Sequence, residues 1–286
     1  NDYPLPEVEA LAKGNRRVGL GVMGWAEALV KLGVAYDSPE ALAAADRLMS
    51  FVNGASRDAS EALALERGAF PNWSGSIFDP ASPHFRGEES RPRHCARTTI
   101  APTGTIALAA GLQGGGIEPF FALVYTRYNA RALEAVKAGR EPDARDVLLE
   151  VNPLLRAEAE KRGWFGLDPA QLWRRIAANR QSLRGLEEIP EDVRRLFVCA
   201  HDVSPEAHVR MQAAFQRHVD NGVSKTVNLP REATAEDVSR VYRLAYELGC
   251  KGVTVYRDGS KARQVLNLEP AQPPRCPSCR SPNVVF

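Results

Sequence analysis

Apolar residues recur at helical spacing along the first third of this chain. The pattern predicts two helices between residues 6 and 32, joined through a run of glycines. A third helix is predicted to begin at Ser38 and Pro39 and to stop at Gly68. A serine hydroxyl can accept hydrogen bonds from the first free backbone N–H groups of a helix, and proline suits the first helical turn. The sequence therefore opens with a mainly helical third.

Short runs of β-branched and aromatic residues interrupt the helical pattern in the rest of the chain. The segments predicted to be strands are residues 97–101, 120–125, 223–229 and 252–256. Helical spacing is predicted after Thr103 and again from Ser204 and Thr234. It is also predicted from Asn129 to about Glu188, with breaks near Pro153 and Gly163. Helices that alternate with β-branched strands predict an α/β fold with parallel strand pairing.

The composition is that of an ordinary globular protein. Of 286 residues, 44% are hydrophobic and 25% are charged, and 37 Lys and Arg against 35 Asp and Glu give a net charge of +2. This balance argues against a strongly basic nucleic-acid platform, and 5 cysteines are too few for a disulfide-dense secreted module. No run approaches the roughly 18 apolar residues that span a bilayer. We expect a cytoplasmic protein without nucleic-acid or membrane partners, and Asn1 in place of Met suggests a processed product or a fragment.

Gly19, Gly21 and Gly24 match the G-x-G-x-x-G pattern of dinucleotide-binding proteins. That pattern works where a buried strand delivers the glycines to the start of a helix. Here the preceding residues are polar and helix-like, with Arg16 and Arg17 where a buried strand would be apolar. Close helix packing is therefore the preferred interpretation. An NAD-dependent oxidoreductase is the alternative and would need a strand before Gly19.

The segment Pro102-Thr103-Gly104-Thr105 lies between a predicted strand and a predicted helix. Free backbone N–H groups at a helix start, together with two hydroxyls, can hold an anion, and glycine lets the anion approach the backbone. No lysine of the P-loop type follows. The spacing alone leaves two interpretations open, an anion-binding turn and an ordinary capped helix.

Cys276 and Cys279 are the only closely spaced cysteines, and they follow a proline-rich stretch that begins after Gln264. This change in composition predicts one domain over residues 1–264 and a linker with a C-x-x-C tail over residues 265–286. The pair can act as a redox dithiol or as half of a tetrahedral zinc site. A zinc-ribbon binding module is a further alternative, and it would need a second cysteine pair.

The remaining cysteines and histidines give weaker signals. We expect Cys95, Cys199 and Cys250 to be small side chains buried in the core. The three histidines His201, His208 and His218 lack the i, i+4 spacing of a helical metal site, so structural or surface roles are preferred and no metal site is predicted among them. In the predicted strand that contains Ser224, Lys225 and Thr226, at most alternate side chains would face a cavity.

Four blocks of the sequence together resemble the large catalytic chain of ribonucleotide reductase. They are Ala101-Pro102-Thr103-Gly104-Thr105-Ile106, Gly116-Ile117-Glu118-Pro119, the stretch from His208-Val209-Arg210-Met211 through Val223-Ser224-Lys225-Thr226-Val227-Asn228-Leu229-Pro230, and Glu247-Leu248-Gly249-Cys250-Lys251-Gly252-Val253-Thr254-Val255-Tyr256-Arg257-Asp258-Gly259-Ser260. The last block is most similar to the adenosylcobalamin-dependent class. Residues 15–24 fit the same family, and the resemblance runs from Tyr3 to about Gln264.

The resemblance implies a fold, an activity and a role for the turn. The fold would be the C-terminal part of a ten-stranded α/β barrel with a short flexible cysteine-containing tail. The activity would be reduction of ribonucleoside di- or triphosphates to 2′-deoxyribonucleotides by a cysteine thiyl radical, with adenosylcobalamin as cofactor. The Pro-Thr-Gly-Thr turn of the family binds the substrate's phosphates. Residues 101–106 match that turn in place.

One departure from the family pattern concerns the radical centre. The family's thiyl cysteine lies in a Cys-x-Glu arrangement, and no cysteine among Cys95, Cys199 and Cys250 has Glu two residues later. The radical site is therefore expected upstream, in the N-terminal part of the same enzyme, and this chain is expected to be inactive alone.

The remaining expectations concern the tail and the partners. Cys276 and Cys279 resemble the dithiol that re-reduces the active-site disulfide and takes electrons from a thioredoxin-like reductant. Zinc bound in a longer tail is the competing role. A homodimer is compatible with the family. A metal-radical (class I) reductase, with a separate small subunit, remains an alternative class.

Overall fold

Helices dominate the part of the chain that the structure, a computed structural model, describes, which is residues 2–87, 89–140, 142–143 and 146–260. The helices are α1 (Pro6–Asn15), α2 (Trp25–Leu32), α3 (Pro39–Arg67), α4 (Gly104–Ala109), α5 (Ala130–Lys137), α6 (Pro153–Lys161), α7 (Pro169–Ala178), α8 (Glu191–Leu196), α9 (Pro205–Gln216) and α10 (Ala235–Glu247). The strands are β1 (Val124–Tyr128), β2 (Val147–Val151), β3 (Thr226–Leu229) and β4 (Thr254–Arg257). The predicted tail, with Cys276 and Cys279, lies outside the described residues.

The structure confirms the helix starts that were predicted at Ser38, Ser204 and Thr234, where a side chain caps the helix. The Ser38 hydroxyl accepts a hydrogen bond from the Ala41 N–H at 3.1 Å, and α3 continues without a break to Gly68. Ser204 caps α9 in the same way. At α10, Thr234 and Asp237 form a reciprocal capping box, in which each side chain accepts from the backbone N–H of the other.

Parallel pairing links four extended segments that are far apart in sequence. Leu20 forms a parallel bridge with Thr98, and Ile100 forms one with Val223, three residues before β3. β3 then pairs in parallel with β4. The predicted α/β character with parallel pairing is confirmed at these segments. Among the described residues the sheets are two-stranded and supplemented by isolated bridges, so the ten-stranded barrel stays a prediction.

The prediction of helix between Asn129 and the break near Pro153 is wrong at β2. This strand pairs antiparallel with β1, with Val124 opposite Val151 and Tyr128 opposite Val147. Pairing with β1 satisfies the backbone groups of β2 and buries Val151, which local spacing does not reveal. The strand predicted from Phe120 starts later, at Val124, although Phe120 forms a single parallel bridge with Cys199.

The glycines at 19, 21 and 24 pack against an extended segment rather than against a helix. A Cβ on Gly19 would lie 2.7 Å from Thr99 Cγ2, and one on Gly21 would collide with the Thr99 carbonyl oxygen. Gly24 has a φ of +73° and directly precedes α2. The predicted helix packing is therefore wrong about the partner. The close approach of two parallel segments explains the glycines.

Apolar side chains form three clusters, two of them large. The first contains Phe120, Leu155, Leu172, Ile176 and Phe197, among others. The second packs α2 and α3 against α9, and it includes Trp25, Met49, Ile100, Ile117 and Phe215. The third lies between the β3–β4 pair and α10. Ile100 and Ile117 tie the second cluster to the two loops described below.

A search of the described helices for a segment long and apolar enough to cross a membrane finds none.

The second cluster predicts a strong effect of truncating Phe215. This side chain is fully buried and meets Trp25 edge to face, with 5.3 Å between ring centroids. We expect Phe215→Ala to lower the free energy of unfolding by about 3–5 kcal/mol, because it leaves a cavity. Urea unfolding followed by circular dichroism measures the change. Phe51→Ala is the matched control, because Phe51 on α3 is 74% exposed. It should change the free energy of unfolding by less than about 0.5 kcal/mol. Equal losses in the two variants would contradict the described packing.

Candidate functional site

The turn at residues 101–106 directly follows the Ile100 bridge and leads into α4. Thr103 lies in the left-handed region with φ 53° and precedes the first helical residue. Its hydroxyl oxygen makes no cap within α4 and instead accepts a hydrogen bond from the Gly116 N–H at 2.7 Å. Gly104 and Thr105 are exposed, and the space where a Gly104 side chain would lie is open. The turn therefore presents its backbone and the Thr105 side chain to solvent.

A second loop, residues 113–116, supports the turn from behind, and we call it the glycine loop. A Cβ on Gly115 would lie 2.6 Å from the Pro102 carbonyl oxygen, and one on Gly116 would lie 2.7 Å from the Ala101 carbonyl oxygen. Gly116 also has a φ of +50°. Only glycine allows this approach, so the glycine loop is a close-fitting support of the turn.

Glu27 on α2 holds one end of the glycine loop. Its side chain is only 8% exposed. One carboxylate oxygen, Oε1, accepts hydrogen bonds from the Gln113 and Gly114 N–H groups, both at 2.8 Å. The other oxygen, Oε2, is buried without a hydrogen-bond partner among the described residues. An acid at the first turn of α2 also disfavours a bound pyrophosphate there, which argues against the dinucleotide alternative.

Glu118, just beyond the glycine loop, belongs to a cluster with the buried side chains of Lys225 and His208. The Lys225 ammonium group donates to Glu118 Oε2, to His208 Nδ1 at 2.7 Å and to the Thr226 carbonyl oxygen at 2.9 Å. Glu118 Oε1 accepts from the Thr226 N–H at 2.6 Å. Since His208 Nδ1 accepts, its Nε2 carries the proton and donates to the Ala200 carbonyl oxygen at 2.8 Å. All three ammonium protons of Lys225 are therefore used.

Burial controls the ionisation of the groups around this cluster. It lowers the pKa of Lys225, an effect that the Glu118 carboxylate opposes. Burial, followed by the Lys225 charge, holds the pKa of His208 well below its usual value, so His208 is neutral at pH 7. Burial and Glu118 raise the pKa of Tyr36, whose hydroxyl donates to the Ile117 carbonyl oxygen at 2.6 Å. The cluster thus contains one ion pair surrounded by neutral partners.

The sequence does not reveal this cluster. No pattern in it points to a role for Glu118, and the strand around Lys225 predicts only that at most alternate side chains face a cavity. Glu118 and Lys225 lie 107 residues apart, so no local spacing connects them. The one feature of the sequence that links Glu118 and Lys225 is that both lie in blocks resembling the same family. That resemblance does not by itself indicate that the two side chains touch.

The other described histidines and cysteines do not converge on this site. His201 packs edge to face on Phe121, and His218 lies 3.1 Å from Asp46. No group of three His, Cys, Asp or Glu side chains suited to a metal ion is found in the described part of the chain. Cys199 is buried, as predicted, and burial holds the pKa of its thiol well above the usual value. Cys250 is half-buried, and burial raises its pKa as well.

Comparisons with known proteins agree on one family. A family profile described as "Ribonucleotide reductase, barrel domain" matches residues 1–256. The chain is 43% identical over 274 residues to a protein of Thermoplasma acidophilum and 44% identical over 271 residues to one of Mycobacterium tuberculosis H37Rv. Both are named vitamin B12-dependent ribonucleoside-diphosphate reductase. The alignments cover 95% of this chain but 32% and 35% of those proteins, so the chain spans about a third of their length.

A solved structure shows the same fold. The alpha subunit of the Actinobacillus ureae class Id ribonucleotide reductase superimposes with a TM-score of 0.71 at 22% identity, covering 90% of this chain and 42% of that one. At this identity the likeness concerns the fold alone. The family profile, in contrast, covers nearly the whole sequence from its first residue. This chain therefore belongs to the ribonucleotide reductase barrel-domain family.

Proposed function

We propose that this chain forms part of an adenosylcobalamin-dependent ribonucleotide reductase and supplies the turn that holds the phosphates of the substrate. The reaction would replace the 2′-hydroxyl of a ribonucleotide with hydrogen, with a dithiol oxidised to a disulfide. The names of relatives at 43% and 44% identity support the reaction and its cofactor. The observation that carries the proposal is the turn at residues 101–106, exposed on one side and rigidly supported on the other.

The chemistry of the turn suits a phosphate group. The first backbone N–H groups of a helix have no partner within the helix, and here they belong to Gly104, Thr105 and Ile106. Successive N–H groups in a tight turn form a concave site for anions. The Thr105 hydroxyl adds a donor, and Gly104 leaves room for a phosphate oxygen near the backbone. Anchoring the phosphates would place the ribose for reaction at a separate centre.

The described cysteines do not match the pattern of the family's radical centre. Cys199 is buried with a raised pKa, and no described cysteine precedes Glu in the Cys-x-Glu pattern. We place the radical centre in the part of the enzyme outside this chain, so that this chain alone would not turn over. No described residue is assigned to the cofactor.

Substitutions in the turn test the phosphate assignment. With the N-terminal part of the enzyme supplied, we expect Thr103→Val and Thr105→Val each to raise the nucleotide KM by about tenfold to a hundredfold. Thr105→Val removes a donor to a charged group, and Thr103→Val removes the acceptor of the Gly116 N–H that supports the turn. Steady-state kinetics with ribonucleoside diphosphates and triphosphates measure the effect and the substrate preference. Thr254→Val, an exposed matched change on β4, should leave KM unchanged. Unaltered binding in both turn variants would refute the assignment.

The cofactor assignment predicts independence from a second subunit. The completed enzyme mixed with adenosylcobalamin and substrate should give a radical signal in electron paramagnetic resonance without any added protein. Omitting the cofactor is the control. A radical that forms only when a separate metal-containing subunit is added would overturn the assignment and favour the metal-radical class.

Cys276 and Cys279 are proposed as the dithiol that re-reduces the enzyme after each turnover, with a thioredoxin-like protein as electron donor. The double change Cys276→Ser and Cys279→Ser should abolish repeated turnover with thioredoxin and leave one turnover of the pre-reduced enzyme intact. Cys250→Ser serves as the matched single-thiol control. Stoichiometric zinc held by Cys276 and Cys279, measured by metal analysis, would contradict the redox role.

A further inference from the structure

The turn at residues 101–106 depends on contacts from the glycine loop. Thr103 has a β-branched side chain yet adopts a left-handed backbone conformation, which such residues rarely take without support. The Gly116 N–H bond to the Thr103 hydroxyl supplies that support. Gly115 and Gly116 also lie directly against the backbone of residues 101–102. A change in the position of the glycine loop would therefore move the turn.

Two glutamates hold the two ends of the glycine loop. The buried Glu27 accepts both N–H groups at the start of the loop, from Gln113 and Gly114. At the other end, the Glu118 N–H donates to the Gly115 carbonyl oxygen at 2.9 Å, and the Glu118 side chain, 28% exposed, is fixed by the buried Lys225. Glu27 and Lys225 both lie far from the loop in sequence, so the loop cannot shift without breaking these polar contacts.

The Glu118 anchor also closes a ring of contacts around the turn. The Ile100 N–H donates to the Gly222 carbonyl oxygen at 3.2 Å, and the Ser224 N–H donates to the Ile100 carbonyl oxygen at 2.9 Å. Lys225 follows immediately. The segment before the turn and the loop behind it are thus held by the same short stretch, residues 222–226.

We propose that Glu27 and Glu118 are positioning residues that act through the glycine loop to hold the turn in its phosphate-binding geometry. This inference rests on the proposed phosphate role of the turn. Neither carboxylate needs to touch the substrate, and like charge would disfavour such contact. Each acts as a hydrogen-bond acceptor that fixes backbone N–H groups.

Glu27 offers the sharper test of the two residues. Removing the Glu118 charge would leave the Lys225 ammonium unpaired in the interior and could prevent folding. Among the described residues, Glu27 has no salt-bridge partner. In Glu27→Gln, Oε1 can still accept from Gln113 and Gly114, and the amide replaces the oxygen that lacks a partner. Glu27→Ala removes the acceptor altogether.

The experiment measures inorganic pyrophosphate binding to the 286-residue chain by isothermal titration calorimetry. We expect Glu27→Ala to raise Kd by about tenfold and Glu27→Gln to keep Kd within about twofold of the unsubstituted chain. Hydrogen exchange of the Gly116 amide should be faster in Glu27→Ala than in Glu27→Gln. Leu172→Ala, a cavity variant in the first apolar cluster, controls for general loss of stability and should leave Kd unchanged.

A double-mutant cycle with Thr103→Val tests the route through the loop. If Glu27 acts through Thr103, adding Glu27→Ala to Thr103→Val should weaken binding by less than about twofold more. Additive losses, or equal losses in Glu27→Gln and Glu27→Ala, would overturn the positioning role and leave the phosphate role standing. No pyrophosphate binding by the unsubstituted chain, or unchanged binding in both Thr103→Val and Thr105→Val, would overturn the phosphate role and the positioning role together.

Discussion

The arrangement of the candidate site depends on the ion pair between the buried Lys225 and the partly exposed Glu118. Lys225 is 1% exposed, so its ammonium group has lost its water and needs partners within the protein. Those partners come from β3, from His208 on α9 and from the residue that follows the glycine loop. One charge therefore fixes the relative positions of three segments. Such a pair adds little net stability, but removing one partner is costly.

Steric constraint complements this attraction on the other side of the turn. Gly115 and Gly116 have no side chains to separate them from the carbonyl oxygens of residues 101 and 102, and the left-handed Thr103 closes the contact. Glycine usually gives a loop conformational freedom. In this loop the absence of side chains instead allows a close backbone contact, and the Glu27 carboxylate restrains the start of the loop through two hydrogen bonds. The turn is therefore shaped before any ligand arrives, which lowers the entropy that binding must overcome.

The features that the sequence predicted well are those decided by neighbouring residues. The helix starts at Ser38 and Ser204 are confirmed, because a capping hydroxyl acts on N–H groups within three residues. Family membership is also confirmed, since it was inferred from whole blocks of sequence. β2 was missed because its pairing partner lies about 20 residues away, and Gly19 was assigned the wrong packing partner because Thr99 is 80 residues distant.

By itself, the sequence determined the family, the parallel α/β pairing and the turn at residues 101–106 as the candidate anion site. Only the tertiary structure decided which groups support that turn. Glu27, Glu118 and Lys225 each look like an ordinary charged residue in the sequence. Folding buries Glu27 and Lys225, and a buried charge must find its partners wherever the chain brings them together. Glu118 is the partner of Lys225. The separations in sequence between these residues and their partners follow no regular period, so no local pattern encodes them.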